Sequence, residues 1–96
     1  MKLKIDQIKL NNICKENKIS YLALFGSHAR GEETGTSDID LLARFEGNIT
    51  LFDLAHAQND FEDFFGKPVD LIMEDNLRPR IRPYIINDLA PLYAKR

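Results

Sequence analysis

Cysteine is nearly absent from this chain: Cys14 is the one sulfhydryl among 96 residues. A lone thiol cannot close an internal disulfide and has no second sulfur with which to build a zinc site, so it is expected to serve as a small buried apolar residue. Long apolar runs are missing as well. No stretch approaches the roughly 18 residues of a membrane span, and the opening MKLKIDQIKLNN has no signal-peptide apolar region, so a cytoplasmic location is expected. Internal repeats, low-complexity tracts and linkers are also lacking. With 44% hydrophobic and 29% charged residues, the composition is that of one soluble globular domain over residues 1–96. A chain of this length buries only about 60 to 65% of its unfolded surface, so its core is thin and a partner subunit would help it.

Net positive charge is lacking too, and the formal balance of −2 hides an uneven distribution. Residues 1–31 carry six basic and two acidic side chains, residues 32–77 two basic and twelve acidic, and residues 78–96 five basic and one acidic. The centre is therefore −10 between two flanks of +4. Such a centre is unsuited to neutralising nucleic-acid phosphates, and no direct nucleic-acid partner is expected. It suits a cation, although Glu32, Glu33, Asp60, Glu62 and Asp63 read more simply as solvated surface.

The apolar pattern predicts alternating short helices and strands. Residues 3–17 read as a helix with Ile5, Ile8, Leu10, Ile13 and Cys14 on an imperfect apolar face. Tyr21–Phe25 reads as a buried strand that stops at Gly26, followed by a helical turn from the N-cap candidate Ser27 to Gly31. Glu32–Ser37 is a polar loop. Asp38–Phe45 is a second strand with Ile39 and Leu41 on one face and Asp38 and Asp40 on the other. Residues 50–65 form the clearest helix, with Leu51, Leu54, Ala55, Phe61, Phe64 and Phe65 as its core stripe. Gly66 and Pro68 end it, and Val69–Met73 is a third strand. A last helix runs from Pro79 or Pro83 to Leu89, and Pro91–Ala94 adds an edge strand. The fold class is a small α/β (α+β) domain with a mixed sheet packed by helices.

Chemistry concentrates in Leu24-Phe25-Gly26-Ser27-His28-Ala29-Arg30-Gly31 and Ser37-Asp38-Ile39-Asp40-Leu41-Leu42. A strand that ends in Gly-Ser and turns into a helix offers unpaired backbone N–H groups, a hydroxyl and the positive end of the helix dipole to a phosphate. The glycine lets the phosphate approach the backbone. Taken alone, this half is equally an ordinary turn with a serine cap. Asp38 and Asp40 stand two apart on a strand, so their carboxylates share a face with Cα atoms about 6.6 Å apart. Two like charges on a half-buried face call for neutralisation, and hard oxygen donors point to Mg²⁺ rather than zinc. A merely exposed acidic face is the alternative, which the apolar Ile39, Leu41 and Leu42 weaken. Asp70 lies inside the otherwise apolar strand Val69-Asp70-Leu71-Ile72-Met73. If that strand lies beside the second one, Asp70 can reach the same metals, and three carboxylates near a phosphate-binding turn fit two-metal phosphoryl transfer with Asp70 as proton acceptor. By itself Asp70 could be a capping or edge acid.

These motifs, a Gly-Ser turn, a gap of ten residues, an Asp-x-Asp strand and a later strand Asp, closely resemble the nucleotidyltransferase superfamily that includes DNA polymerase β and kanamycin nucleotidyltransferase. The resemblance spans residues 20–93, and the form Gly-Ser-x-Ala-Arg-Gly before Ser-Asp-Ile-Asp-Leu is similar to the minimal nucleotidyltransferases of bacteria and archaea. It implies a polymerase β-like fold, two Mg²⁺ ions and ATP as substrate. Asp38 and Asp40 are then ligands of both metals, Asp70 a ligand of the catalytic metal and the base, and Gly26 with Ser27 the triphosphate contacts. Arg30, one turn after Ser27, is implied to approach phosphate, with a surface ion pair as its alternative. His28 is expected to line the rim of the site and His56 to lie on the surface. Arg78, Arg80 and Arg82 could face the nucleotide or a partner, or simply keep a loop soluble.

Larger relatives add a domain that binds the acceptor, for which this chain has no room. Minimal nucleotidyltransferases are paired with a separate helical HEPN protein, so the resemblance implies an antitoxin that transfers AMP to a tyrosine of its HEPN partner. Two other functions stay open: a non-catalytic binding module that blocks the HEPN protein, and a subunit that nucleotidylates a small molecule such as an aminoglycoside.

Overall fold

A computed structural model of the chain describes residues 5–32 and 38–95. Helix α1 (Gln7–Glu16) leads into strand β1 (Ile19–Phe25), short helix α2 (Gly26–Arg30), β2 (Ile39–Phe45), helix α3 (Leu51–Phe65) and β3 (Val69–Met73). A single 3-10 turn (Glu74–Asn76), helix α4 (Arg82–Asn87) and strand β4 (Ala90–Ala94) complete the order. The sheet runs β3-β2-β1-β4. β1 is antiparallel to both β2 and β4, and β3 is parallel to β2. The parallel pair requires a long crossover, which α3 supplies. The mixed sheet and its helices match the expected fold class.

Local chemistry explains most boundaries. Asp6 caps α1 by accepting a 3.2 Å hydrogen bond from the Lys9 amide, and Thr50 with Asp53 forms a reciprocal capping box at the start of α3. Gly66 ends α3 with φ 69°, in the left-handed region where a glycine has no Cβ penalty. At the end of α1, Asn17 Nδ2 donates to the Ile13 carbonyl and to Asp60 Oδ2, both at 2.9 Å, which ties α1 to α3. His56 joins this tie from the surface, with Nδ1 2.9 Å from Asn17 Oδ1.

The core is the face of the sheet covered by α1 and α3. Leu10, Cys14, Leu22, Ile39, Leu41 and Phe61 are fully buried there, with Leu24 and Leu71 beside them. Burial pushes the Cys14 thiol up to about 12, as expected of an inert apolar residue. Because side chains alternate across a strand, the opposite face carries Asp40 and Leu42 on β2 and Asp70 and Ile72 on β3.

The helical faces differ from expectation in detail. Ile8 is 76% exposed, because two helical residues turn the chain about 200° and place it opposite Leu10. On α3 the buried stripe passes through Leu54, Ala57 and Phe61, while Leu51, one turn ahead of Leu54, and Ala55 are exposed. α2 starts one residue before Ser27: Gly26 takes φ 74°, Phe25 is the N-cap, and Ser27 therefore lies inside the helix. β2 begins at Ile39, so Asp38 stands just ahead of the strand. α4 covers only Arg82–Asn87, with Pro83 in its first turn. The expected start of α1 at residues 3–4 and the polar loop beyond Glu32 lie outside the described residues.

Candidate active site

Strand register assembles the acids. Phe25, the last residue of β1, pairs with Asp40, and Asp40 pairs with Asp70 on the other side. Adjacent strands lie about 4.8 Å apart and directly paired residues point to the same side, so the Asp40 and Asp70 carboxylates are neighbours. Asp38 is exposed two residues upstream of Asp40. Gly26 follows Phe25, and the Asp40 carboxylate packs directly on its backbone: a Cβ built on Gly26 would overlap Asp40 Oδ2 and lie 3.2 Å from Cγ. Only glycine combines this contact with a left-handed φ of 74°.

Asp40 registers the crowding. Burial raises its pKa above the ordinary 3.8, Asp70 and Asp38 raise it further, and His28 and Arg30 oppose them. The acid thus sits where a carboxylate is held among other carboxylates. The donor set, all oxygen and all acidic, fits Mg²⁺. Among the described residues, no group of three acidic, histidine or cysteine side chains is placed to hold a metal ion.

Around the acids, Ser27 is half-buried in the first turn of α2, where backbone amides have no intrahelical acceptors. His28 is buried, 9% exposed, rather than on the rim. The short helix turns it inward, and its charge would favour ionised Asp40. Arg30, at the end of α2, donates from Nε to Glu32 Oε2 at 3.0 Å and from Nη1 to Asp88 Oδ2 at 2.8 Å. Those hydrogen bonds, first to Glu32 and then to Asp88, raise its pKa further. Of the three arginines near α4, Arg82 approaches Glu74 at 3.8 Å. Glu74 in turn accepts from Arg44 Nε at 2.6 Å and from Nη2 at 3.1 Å, and Arg44 lies over the Tyr21 ring, 5.4 Å from its centroid. Sequence reasoning missed the partners of Arg30. Asp88 carried one signal, as the single acid in the basic segment 78–96.

Fold and site together define a class: α/β proteins that set carboxylates of two adjacent strands against a glycine-serine turn. Within it, the chain belongs to the polymerase β nucleotidyltransferase family, whose family model, Polymerase beta, Nucleotidyltransferase, matches residues 8–96. A candidate protein adenylyltransferase of Methanocaldococcus jannaschii is 32% identical over 80 residues, 83% of this chain and 86% of the relative. The solved structure of a candidate minimal nucleotidyltransferase superposes with a TM-score of 0.77 at 34% identity, covering 88% of this chain and 87% of that one. A further solved structure, the tri-AMPylated Shewanella oneidensis HEPN toxin in complex with MNT antitoxin, shares the fold with a TM-score of 0.68 at 15% identity, over 93% of this chain and 70% of that one. Among the described residues no helix is long and apolar enough to cross a membrane.

Proposed function

We propose that the chain is a magnesium-dependent nucleotidyltransferase that moves AMP from ATP onto a tyrosine hydroxyl of a helical HEPN partner and thereby acts as that partner's antitoxin. The observation that carries the reading is the side-by-side pairing of Asp40 with Asp70, against the backbone of Gly26. Gly26 and Ser27 contact the triphosphate, and Arg30 adds charge-assisted hydrogen bonds to it. The acceptor oxygen attacks the α-phosphorus, the bond from that phosphorus to the bridging oxygen of the β-phosphate breaks, and pyrophosphate leaves. Asp70, the more exposed of the paired acids, takes the acceptor's proton. Asp38, Asp40 and Asp70 are the residues that would hold two Mg²⁺ ions, which supply charge neutralisation at the attacking and leaving oxygens when bound.

The names of the relatives support protein as the acceptor class, and the toxin and antitoxin neighbour supports a HEPN partner. Exposed apolar side chains around α4, Ile81 at 46%, Tyr84 at 74% and Ile86 at 44%, support a partner surface there. The test is co-expression with the helical partner followed by intact mass spectrometry with Mg²⁺ and ATP. AMP increments on the partner are expected, lost with Asp38→Asn/Asp40→Asn. A partner bound but unmodified by the active chain would leave a binding module, and AMP on an aminoglycoside with none on protein would leave a small-molecule enzyme.

A further inference from the structure

Arg30 joins two parts of the chain that the sequence keeps 58 residues apart, through its bond to Asp88. Asp88 is the C-cap of α4: its backbone N–H donates to the Ile85 carbonyl at 3.0 Å, and the N–H of Leu89 donates to the Ile86 carbonyl at 3.3 Å. The six residues of α4 include no buried one, so little packing fixes it. Ion pairs hold it near both ends instead: Arg82 to Glu74 before it and Asp88 to Arg30 after it.

The occupied atoms matter. A guanidinium grips a phosphate bidentately along an edge, using Nε with one Nη or the two Nη atoms together. Here Glu32 engages Nε and Asp88 engages Nη1. Each edge therefore has a nitrogen already committed to a carboxylate. Two carboxylates on one guanidinium also cancel its charge, where a triphosphate needs it uncancelled.

We propose that Asp88 is a positioning residue that competes with the triphosphate for Arg30, so that nucleotide entry exchanges the Arg30–Asp88 pair for an Arg30–phosphate pair and loosens α4 from α2. This rests on the reading of Arg30 as a phosphate contact. The side chains of Arg30 and Asp88 are 43% and 31% exposed, and ion pairs that accessible are weak enough to exchange readily.

The test is calorimetric binding of Mg²⁺·ATP to the whole chain for wild type, Asp88→Asn, Asp88→Glu, Arg30→Ala and the Arg30→Ala/Asp88→Asn double variant. Removing a competitor of this strength should tighten binding by about two- to fivefold. Asp88→Glu keeps the pair and should bind like wild type. Arg30→Ala should bind more weakly, and adding Asp88→Asn to it should change nothing. In transfer assays Asp88→Asn should lower KM and leave kcat unchanged, a split that a purely structural role would not produce. Wild-type or weaker affinity for Asp88→Asn, or the same gain with Arg30 absent, would overturn the exchange while leaving the nucleotidyltransferase reading intact. If wild type itself does not bind Mg²⁺·ATP, the parent reading falls and the exchange with it.

Discussion

Gly26→Ala separates the backbone requirement from the chemical one. An alanine at φ 74° is forced into the left-handed region, which costs about 1 to 2 kcal/mol. Gly47, at φ 71°, would incur the same cost, yet a Cβ there meets nothing within 4 Å. In a domain of this size, 1 kcal/mol lowers Tm by about 4 to 8 °C, so both variants should melt several degrees early. Only at Gly26 does the new Cβ overlap the Asp40 carboxylate. The side chain must swing away, and a misplacement of about 1 Å at a reacting centre can cost about 10²-fold. Melting curves, Mg²⁺·ATP binding and single-turnover transfer should be measured on both. Gly47→Ala should lose stability alone; Gly26→Ala should lose stability, nucleotide binding and transfer. A Gly26→Ala protein that binds and transfers like Gly47→Ala would show that the contact between Gly26 and Asp40 has no part in the site.

Three further outcomes are expected. Asp70→Asn keeps shape but removes basicity, so transfer should fall by roughly 10² to 10⁴ while calorimetric ATP affinity changes little; near wild-type transfer would exclude Asp70 as the base. Mg²⁺·ATP at about 100 times its dissociation constant should stabilise the fold by about 2.7 kcal/mol, and Asp38→Asn/Asp40→Asn should abolish the resulting rise in Tm; a wild-type melt unmoved by millimolar Mg²⁺·ATP would count against the nucleotide site. Because the folded protein raises the Asp40 pKa above 3.8, protonated Asp40 favours folding, and without metal this contribution is present at low pH and lost as pH rises from 3.8 through the folded value. Asp40→Asn should therefore raise Tm at neutral pH in chelator although it disables the site, and a lower Tm would contradict the crowding of the three acids.

Every helix and strand was legible in the sequence because each depends on local pattern, whereas the 3-10 turn Glu74–Asn76 was not. Val69–Met73 has the expected bounds, set by Gly66 and Pro68 before an alternating apolar run, and the helix expected over 50–65 is α3, Leu51–Phe65 with Thr50 as its N-cap. Faces were less legible. Leu51 matches the helical spacing yet is 83% exposed, since periodicity says which residues share a side and not how far the neighbouring layer extends. His28 was placed at the rim because nothing in its immediate neighbours shows that α2 turns it inward.

For the candidate site, the sequence by itself determined the chemical parts and their spacing: the Gly-Ser turn, the Asp-x-Asp pair and the lone acid of the third strand. These are local facts, carried by residue type and by the two-residue repeat of a strand. That Asp70 stands beside Asp40, that Asp40 leans on Gly26 and that Asp88 holds Arg30 were decided by the tertiary structure alone. Strand order, register and the return of α4 to α2 are choices among distant segments. Strand order and register are settled by burying Leu10, Cys14, Leu41 and Phe61 in one shared core, the return of α4 by the Arg30–Asp88 pair, and no spacing along the chain encodes them.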